Sequence, residues 1–210
     1  MIGFYLASAF IISLLLFFNR SKLVNNLLII LFLTLQWGFT IYEYNHLNIT
    51  ELEYFKPDAL GILLLITLSI ISIPALFHNY SYIYKDKDNP KVRSIYYAAM
   101  TLLITAIGAA YLSCHIAVTW IFVELTTLSA SALIFHRRNT GSLEATWKYI
   151  FVCSISITFV FIGILFLSIA LEQTGSTDLS YESLLSKAST LNVFWLRLAL
   201  SSYSLGSQLN

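Results

Sequence analysis

The chain has 210 residues, of which 58% are hydrophobic and 11% are charged, and its formal net charge is +1. A soluble domain carries about 25% charged residues, so this composition excludes a soluble protein and predicts an integral membrane protein. The small net charge carries no sign of a nucleic-acid partner. Cys114 and Cys153 each stand alone in their segments. Without the Cys or His spacing of a zinc, haem or iron–sulfur site, no metal or other cofactor is expected.

Apolar stretches long enough to cross a bilayer, about 20 residues each, follow one another along the chain. The first is slightly short, and it lacks the basic flank and small-residue cleavage site of a signal peptide, so we expect a retained helix. The stretches are 2–18, 23–42, 59–77, 95–112, 116–135 and 149–171, with a seventh that begins near Leu191. This pattern predicts an all-α, polytopic transmembrane helix bundle with six complete spanning helices and a partial seventh.

The loops between these stretches alternate in charge. The first, third and fifth are basic, with residues such as Arg20, Lys87 and Arg138, whereas the second carries Glu43 and Glu51. Basic loops face the cytoplasm by the positive-inside rule. The N-terminus is therefore expected to lie outside the membrane. Before the third stretch, Asp58 is expected to be a helix N-cap.

Glu124 is the only acidic residue inside any of these stretches. It lies nine residues beyond His115, which at 1.5 Å per residue is about 13 Å deep and near the middle of a core about 30 Å thick. An intramembrane carboxylate is expensive and usually marks an ion or proton path. The alternative is a structural acid that stays protonated and bonds to a neighbouring helix.

Small hydroxyl residues follow Glu124 on the same predicted helix, including Thr127 and Ser131. Such residues allow helices to pack closely in lipid and supply hydrogen bonds, and they could also line a file of waters. Beside a buried carboxylate, a hydrated half-path is the interpretation we favour. His115, at the outer end of this helix, could exchange protons near neutral pH, although a lone histidine at a helix end is more often a cap or surface residue.

Lys148 opens the sixth stretch, about one turn from its cytoplasmic edge. Its offset from Glu124 along the membrane normal is on the order of 10 Å by helical rise, which favours a water-linked relay over a direct ion pair. An interfacial, snorkelling lysine is the other interpretation. Glu144, four residues earlier, stands in the favourable order for a local helical pair with Lys148. Because no nucleophile–base set or phosphate-binding loop is visible, a self-contained catalytic site is not expected.

Two dense motifs lie near these residues. Residues 120–134 (WIFVELTTLSASALI) and 142–154 (SLEATWKYIFVCS) resemble the antiporter-like membrane subunits of respiratory complex I and of membrane-bound hydrogenases, component F of hydrogenase-4 above all. The likeness covers roughly residues 58–167. It implies proton translocation through buried charges and waters, with Glu124 as an essential element and Lys148 matching a frequent lysine near the cytoplasmic entrance.

In that family the glutamate pairs with a lysine on a glycine-rich seventh helix. Residues 194–200 (FWLRLAL) resemble the start of that helix, but residues 201–210 (SSYSLGSQLN) do not continue it, and no lysine follows Lys187. We therefore expect a C-terminally truncated chain. Residues 1–57 would hold the first two helices, residues 58–171 the start of the antiporter-like core, and residues 172–210 an outer loop and the truncated seventh helix.

The leading hypothesis is a proton-translocating, non-catalytic membrane subunit, or its N-terminal fragment, of a complex that couples redox chemistry to proton movement. The parent complex would be of the NADH:quinone oxidoreductase or hydrogenase-4 type. The chain would lie in the cytoplasmic membrane, in contact with lipid and with other membrane and peripheral subunits. The alternatives are a subunit of a multisubunit Na⁺/H⁺ antiporter, and a non-transporting scaffold or truncation product.

Overall fold

The computed structural model describes residues 1–85, 90–137 and 139–208, so the basic charges predicted at Lys87 and Arg138 lie outside the described residues. Within these ranges the chain is helical, with isolated bridges in place of strands. The helices are α1 (Ile2–Phe18), α2 (Lys22–Asn45), α3 (Ala59–Lys85), α4 (Pro90–Leu112), α5 (Ile116–Ile134), α6 (Thr140–Glu172), α7 (Tyr181–Lys187) and α8 (Val193–Gln208).

Five helices, α2 to α6, contain segments long and apolar enough to cross a membrane, and α1 is a shorter apolar helix. The prediction of an all-α, multi-pass bundle is therefore confirmed. The count of six complete spanning helices and a partial seventh stays a prediction. Asp58 precedes α3 as predicted, and its side chain accepts a hydrogen bond of 2.7 Å from the Gly61 N–H group.

The even-numbered loops and the N-terminus meet at one end of the bundle. The Lys56 N–H group donates to the Leu112 carbonyl over 2.9 Å, and the Tyr181 N–H group donates to the Cys114 carbonyl over 3.0 Å. Glu51 accepts hydrogen bonds from the Met1 ammonium group and, over 2.7 Å, from the Ile2 N–H group. We call this end the even-loop face.

The first and fifth loops and the start of α4 meet at the opposite end. Arg93 donates from Nη2 to the Arg20 carbonyl over 3.1 Å, and the Ser94 hydroxyl group donates to the Asn19 carbonyl. Tyr96 and His136 are in edge-on ring contact at 4.6 Å. We call this end the odd-loop face. The described loops thus lie alternately at the two ends of the bundle, and the orientation that the loop charges indicate stays a prediction.

The boundary predicted for the second helix is wrong at its C-terminal end. Glu43, which was assigned to the second loop, lies inside α2 and is 2% exposed. The buried face of α2 carries polar residues at Gln36, Thr40 and Glu43. This spacing of four and three residues keeps all of them on one side of a helix. α2 therefore extends to Asn45, three residues beyond the predicted end.

The start predicted for the sixth helix is also wrong, by nine residues. α6 begins at Thr140 and is capped by Asn139. The Asn139 side chain accepts a hydrogen bond of 2.6 Å from the Ser142 N–H group, and the Ser142 hydroxyl oxygen accepts one from the Asn139 N–H group. This reciprocal pair is a capping box with serine in place of the usual Glu or Gln. Lys148 consequently lies about two turns inside the helix rather than at its first turn.

Most of the apolar core lies among α1, α2, α3 and α4, and a smaller cluster at Leu171 and Leu191 lies between α6 and α8. One cluster near the odd-loop face includes Leu16, Phe32 and Tyr97, and another near the even-loop face includes Ile62 and Leu112. In contrast, the buried residues of α5 are Ser129 and Ser131. In lipid, small polar residues pack helices together while apolar ones face outward, so this arrangement suits a membrane.

The last helix, α8, packs closely along α6. A Cβ atom added at Gly163 would lie 3.0 Å from the Ala199 carbonyl oxygen, and one added at Gly206 would lie 2.7 Å from the Ser156 carbonyl oxygen. Gly163 of α6 therefore lies against α8, and Gly206 of α8 lies against α6. Small residues allow such close approach of helices in membranes.

Replacing Gly206 by leucine is expected to loosen this crossing and to destabilise the chain by about 1–3 kcal/mol, the usual cost of overpacking. Thermal unfolding in detergent, read by circular dichroism, measures it. Gly38→Leu is the matched control, because a Cβ atom at Gly38 has nothing within 4 Å. Equal melting temperatures for the two variants would contradict a tight α6–α8 crossing.

Candidate functional site

Glu124 lies in the middle of α5 and is half-buried. Its Oε2 atom is inaccessible to solvent and has no hydrogen-bond partner among the described residues. Tyr149 of α6 is near enough to interact electrostatically with this carboxyl group and is hydrogen-bonded to Cys153. One turn earlier on α5, Trp120 donates a hydrogen bond of 3.1 Å to the Ile157 carbonyl of α6, so this part of α5 packs against α6.

The hydroxyl groups that follow Glu124 bond to their own helix. Thr127 donates to the Glu124 backbone carbonyl over 2.8 Å, and Ser131 donates to the Leu128 carbonyl over 2.7 Å. Such back-bonding is common for Ser and Thr inside helices. It uses the hydroxyl hydrogen and leaves oxygen lone pairs as acceptors. These groups can therefore accept hydrogen bonds from waters beside the carboxylate, but the structure gives them no direct bond to its side chain.

Lys148 is paired with Glu144 on the surface of α6. The Nζ–Oε1 distance is 2.6 Å, and the two side chains are 74% and 66% exposed. The structure therefore brings these two predicted residues together but does not bring Lys148 to Glu124. An exposed pair of this kind contributes only about 0.3–0.5 kcal/mol, so it does not hold the lysine rigidly.

His115 is the residue before α5 at the even-loop face. Its ring lies edge-on to Tyr54 with 5.4 Å between ring centroids, and its Nδ1 atom is buried without a hydrogen-bond partner. Asp178, from the loop before α7, interacts with it electrostatically. Hydrogen bonds from the Ser180 hydroxyl and N–H groups lower the pKa of Asp178, so this neighbour is an anion at neutral pH.

A cleft of about 910 Å³ opens beside His115 at the even-loop face, lined in part by Lys56, Asp58 and Glu182. Lys56 and Glu182 approach to 3.7 Å across it. Burial raises the pKa of the neighbouring Cys114 thiol group, so this cysteine stays a thiol rather than a nucleophilic thiolate. Charged groups of both signs line the cleft, and among the described residues no cluster of three or more His, Cys, Asp or Glu side chains could hold a metal ion.

Sequence reasoning missed a second polar region inside the α1–α4 bundle. Gln36 of α2 is fully buried, accepts a hydrogen bond from the Tyr5 hydroxyl group, and donates one of 3.1 Å to Ser69 of α3. Thr40 lies 2.8 Å from the Ser69 hydroxyl oxygen. Glu43 follows on the same face of α2. The sequence does contain a sign of this region. Polar residues at 36, 40 and 43 have helical spacing, and that spacing continues across the boundary predicted between the second helix and its loop.

No family model matches the chain. A curated relative described as "Hydrogenase-4 component F homolog", from Methylacidiphilum infernorum (isolate V4), is 25% identical over 147 residues, which cover 67% of this chain and 31% of the relative. The chain therefore spans about a third of that relative's length.

Among solved structures, a chain of the membrane-bound sulfane sulfur reductase, an archaeal respiratory membrane complex, superposes with a TM-score of 0.76. The superposition covers 98% of this chain and 42% of the solved one, with 18% identity. At that identity the likeness establishes the fold. Together with the curated relative, it confirms that this chain resembles the antiporter-like membrane subunits of complex I-like and hydrogenase complexes, with hydrogenase-4 component F as the named relative.

Proposed function

We propose that this chain is the N-terminal part of a proton-translocating membrane subunit of a complex I-like or hydrogenase-4-like complex, and that the complex couples redox chemistry to proton movement. The main support for this proposal is the position of Glu124. It is an intramembrane carboxyl group with an unpartnered, inaccessible oxygen atom, and such groups mark ion and proton paths by default.

In this proposal Glu124 is the group that binds and releases the proton. Opposite charge nearby favours the ionised form of a carboxyl group, whereas desolvation favours the neutral form. A cation that approaches and leaves Glu124, driven by redox chemistry elsewhere in the complex, would therefore release and reload its proton. Lys148 would collect protons at the odd-loop face, with Glu144 only as its surface partner. Thr127 and Ser131 would accept hydrogen bonds from waters along α5, and His115 would exchange protons at the even-loop face.

The orientation follows from the loop charges. The odd-loop face, with Arg20 and Arg93, would lie in the cytoplasm by the positive-inside rule, and the N-terminus would lie outside. α1 would then be the first of six complete spanning helices and α8 a partial seventh. The chain would reside in the cytoplasmic membrane.

A subunit of a multisubunit Na⁺/H⁺ antiporter is the second candidate, because both kinds of transport need an intramembrane carboxyl group. The two differ in their partners. Affinity purification of the tagged chain from native membranes, followed by mass spectrometry, is expected to recover redox subunits of quinone oxidoreductase or hydrogenase type. Recovery of antiporter subunits alone would replace the first proposal by the second, and recovery of the chain by itself would favour a scaffold or a non-functional product.

A further inference from the structure

Glu43 is the most deeply buried acidic residue among the described residues, with 2% of its surface exposed. It lies two residues before the end of α2, at the even-loop face, and inside a helix of membrane-spanning length and composition. Its Oε1 atom is inaccessible and lacks a hydrogen-bond partner. A carboxylate that is buried with neither an ion pair nor hydrogen bonds is strongly disfavoured.

The charged groups that interact with Glu43 are Glu51, the Met1 ammonium group and His46. The ammonium group is paired with Glu51 rather than with Glu43. His46 lies with its Nδ1 atom 2.8 Å from the Tyr42 carbonyl oxygen and its ring stacked on Tyr42 at 4.0 Å. Glu51 is ionised, because hydrogen bonds from Met1 and Ile2 outweigh the effect of burial and hold the pKa of its carboxyl group below the usual range. An anion beside Glu43 further disfavours a second negative charge.

The polar side chains that directly precede Glu43 on the buried face of α2 are Gln36 and Thr40, which are neutral and hydrogen-bonded. Thr40 lies one turn before Glu43 on the same buried face of α2. The Thr40 hydroxyl group donates to the Gln36 carbonyl over 2.8 Å, which leaves its oxygen atom as an acceptor. An ionised carboxylate can only accept hydrogen bonds, so a hydroxyl group whose hydrogen is already used cannot stabilise it.

We propose that Glu43 is a second proton-binding site of this chain, occupied by a proton at neutral pH and open to exchange through the even-loop face. The site follows the Thr40–Ser69–Gln36–Tyr5 network along the buried face of α2. The site is separate from Glu124, because the network belongs to α1, α2 and α3 whereas Glu124 lies on α5. It does not depend on the proposed transport role of Glu124.

Infrared difference spectroscopy of the chain in lipid nanodiscs tests this proposal. We expect the C=O stretching band of a protonated carboxylic acid at pH 7, which shifts when H₂O is replaced by D₂O. Glu43→Gln should remove that band, whereas Glu124→Gln and the exposed-acid control Glu53→Gln should leave it in place.

Each other outcome would overturn the proposal. If Glu43→Gln leaves every protonated-acid band unchanged, Glu43 is ionised. If the band is lost when Na⁺ is added to the wild-type chain, Glu43 belongs to a cation site instead. A band that does not shift in D₂O would show that the site is closed to exchange. Circular dichroism checks that each variant folds, and Glu43→Asp, which keeps an acid in place, is expected to retain a displaced band.

Discussion

Glu124→Gln is expected to abolish proton pumping by the assembled complex and to leave assembly intact. The pumping rate should fall by at least about tenfold, which corresponds to about 1.4 kcal/mol on the barrier. Glutamine keeps the size and hydrogen-bonding capacity of the side chain but cannot bind or release a proton at neutral pH. The carboxyl group is half-buried with an unpartnered oxygen atom, so the substitution breaks no ion pair or hydrogen bond of the described residues. Proton movement into inverted membrane vesicles, followed with a pH-sensitive dye, measures the effect.

Glu144→Gln is the matched control for this substitution. Glu144 is also on a helix of the same site, but it is 66% exposed and paired only with Lys148. Exposed pairs contribute little, so we expect pumping to fall by no more than about twofold, the rate effect of about 0.4 kcal/mol on a barrier. Unchanged pumping in Glu124→Gln, with normal assembly, would contradict a proton-carrying role for Glu124.

Gln36→Leu is expected to destabilise the bundle by about 1–3 kcal/mol. The substitution removes the acceptor of the Tyr5 hydroxyl group and the donor to Ser69, and both of these groups are in the buried network. Interhelical hydrogen bonds in membranes average about 0.6 kcal/mol, which sets the lower bound for two bonds. A buried polar group left unpaired costs about 1–3 kcal/mol, which sets the upper one.

The double variant Tyr5→Phe/Gln36→Leu separates these two contributions. Removing both partners leaves neither hydroxyl nor amide unsatisfied on that side of the network, so the double variant is expected to be more stable than the sum of the single losses by about 0.5–1.5 kcal/mol. Chemical unfolding in mixed micelles measures each free energy of unfolding. Gln173→Leu, at an exposed glutamine in the loop after α6, should change it by less than about 0.5 kcal/mol. Strict additivity would contradict a coupled network.

The helices and their alternation could be predicted from the sequence because lipid imposes length and hydrophobicity on every spanning segment. The stretch predicted at 116–135 corresponds to α5, and successive described loops lie at two opposite faces of the bundle. Asp58 was recognisable as a cap because an acidic residue directly before an apolar run can satisfy the free N–H groups of the first turn.

The errors arose where a helix continues beyond its apolar residues. Glu43 was assigned to a loop because it is charged, although its three-residue spacing from Thr40 places it on the buried face of α2. The start of α6 was missed because the capping box uses Ser142 instead of Glu or Gln. The surface pairing of Lys148 with Glu144 was predicted as a competing interaction from their spacing alone. The unpartnered oxygen of Glu124 depends on which helices pack against α5, and this tertiary arrangement has no local signature.

Redox-driven proton movement is the property that the proposed function requires most directly. Inverted vesicles that contain the assembled complex, held in sodium-free buffer, would be supplied with the electron donor of the associated redox subunits while internal pH is recorded. We predict acidification that an uncoupler abolishes and that Glu124→Gln lacks. Acidification that needs a sodium gradient and no electron donor would contradict redox coupling and identify a cation/proton exchanger.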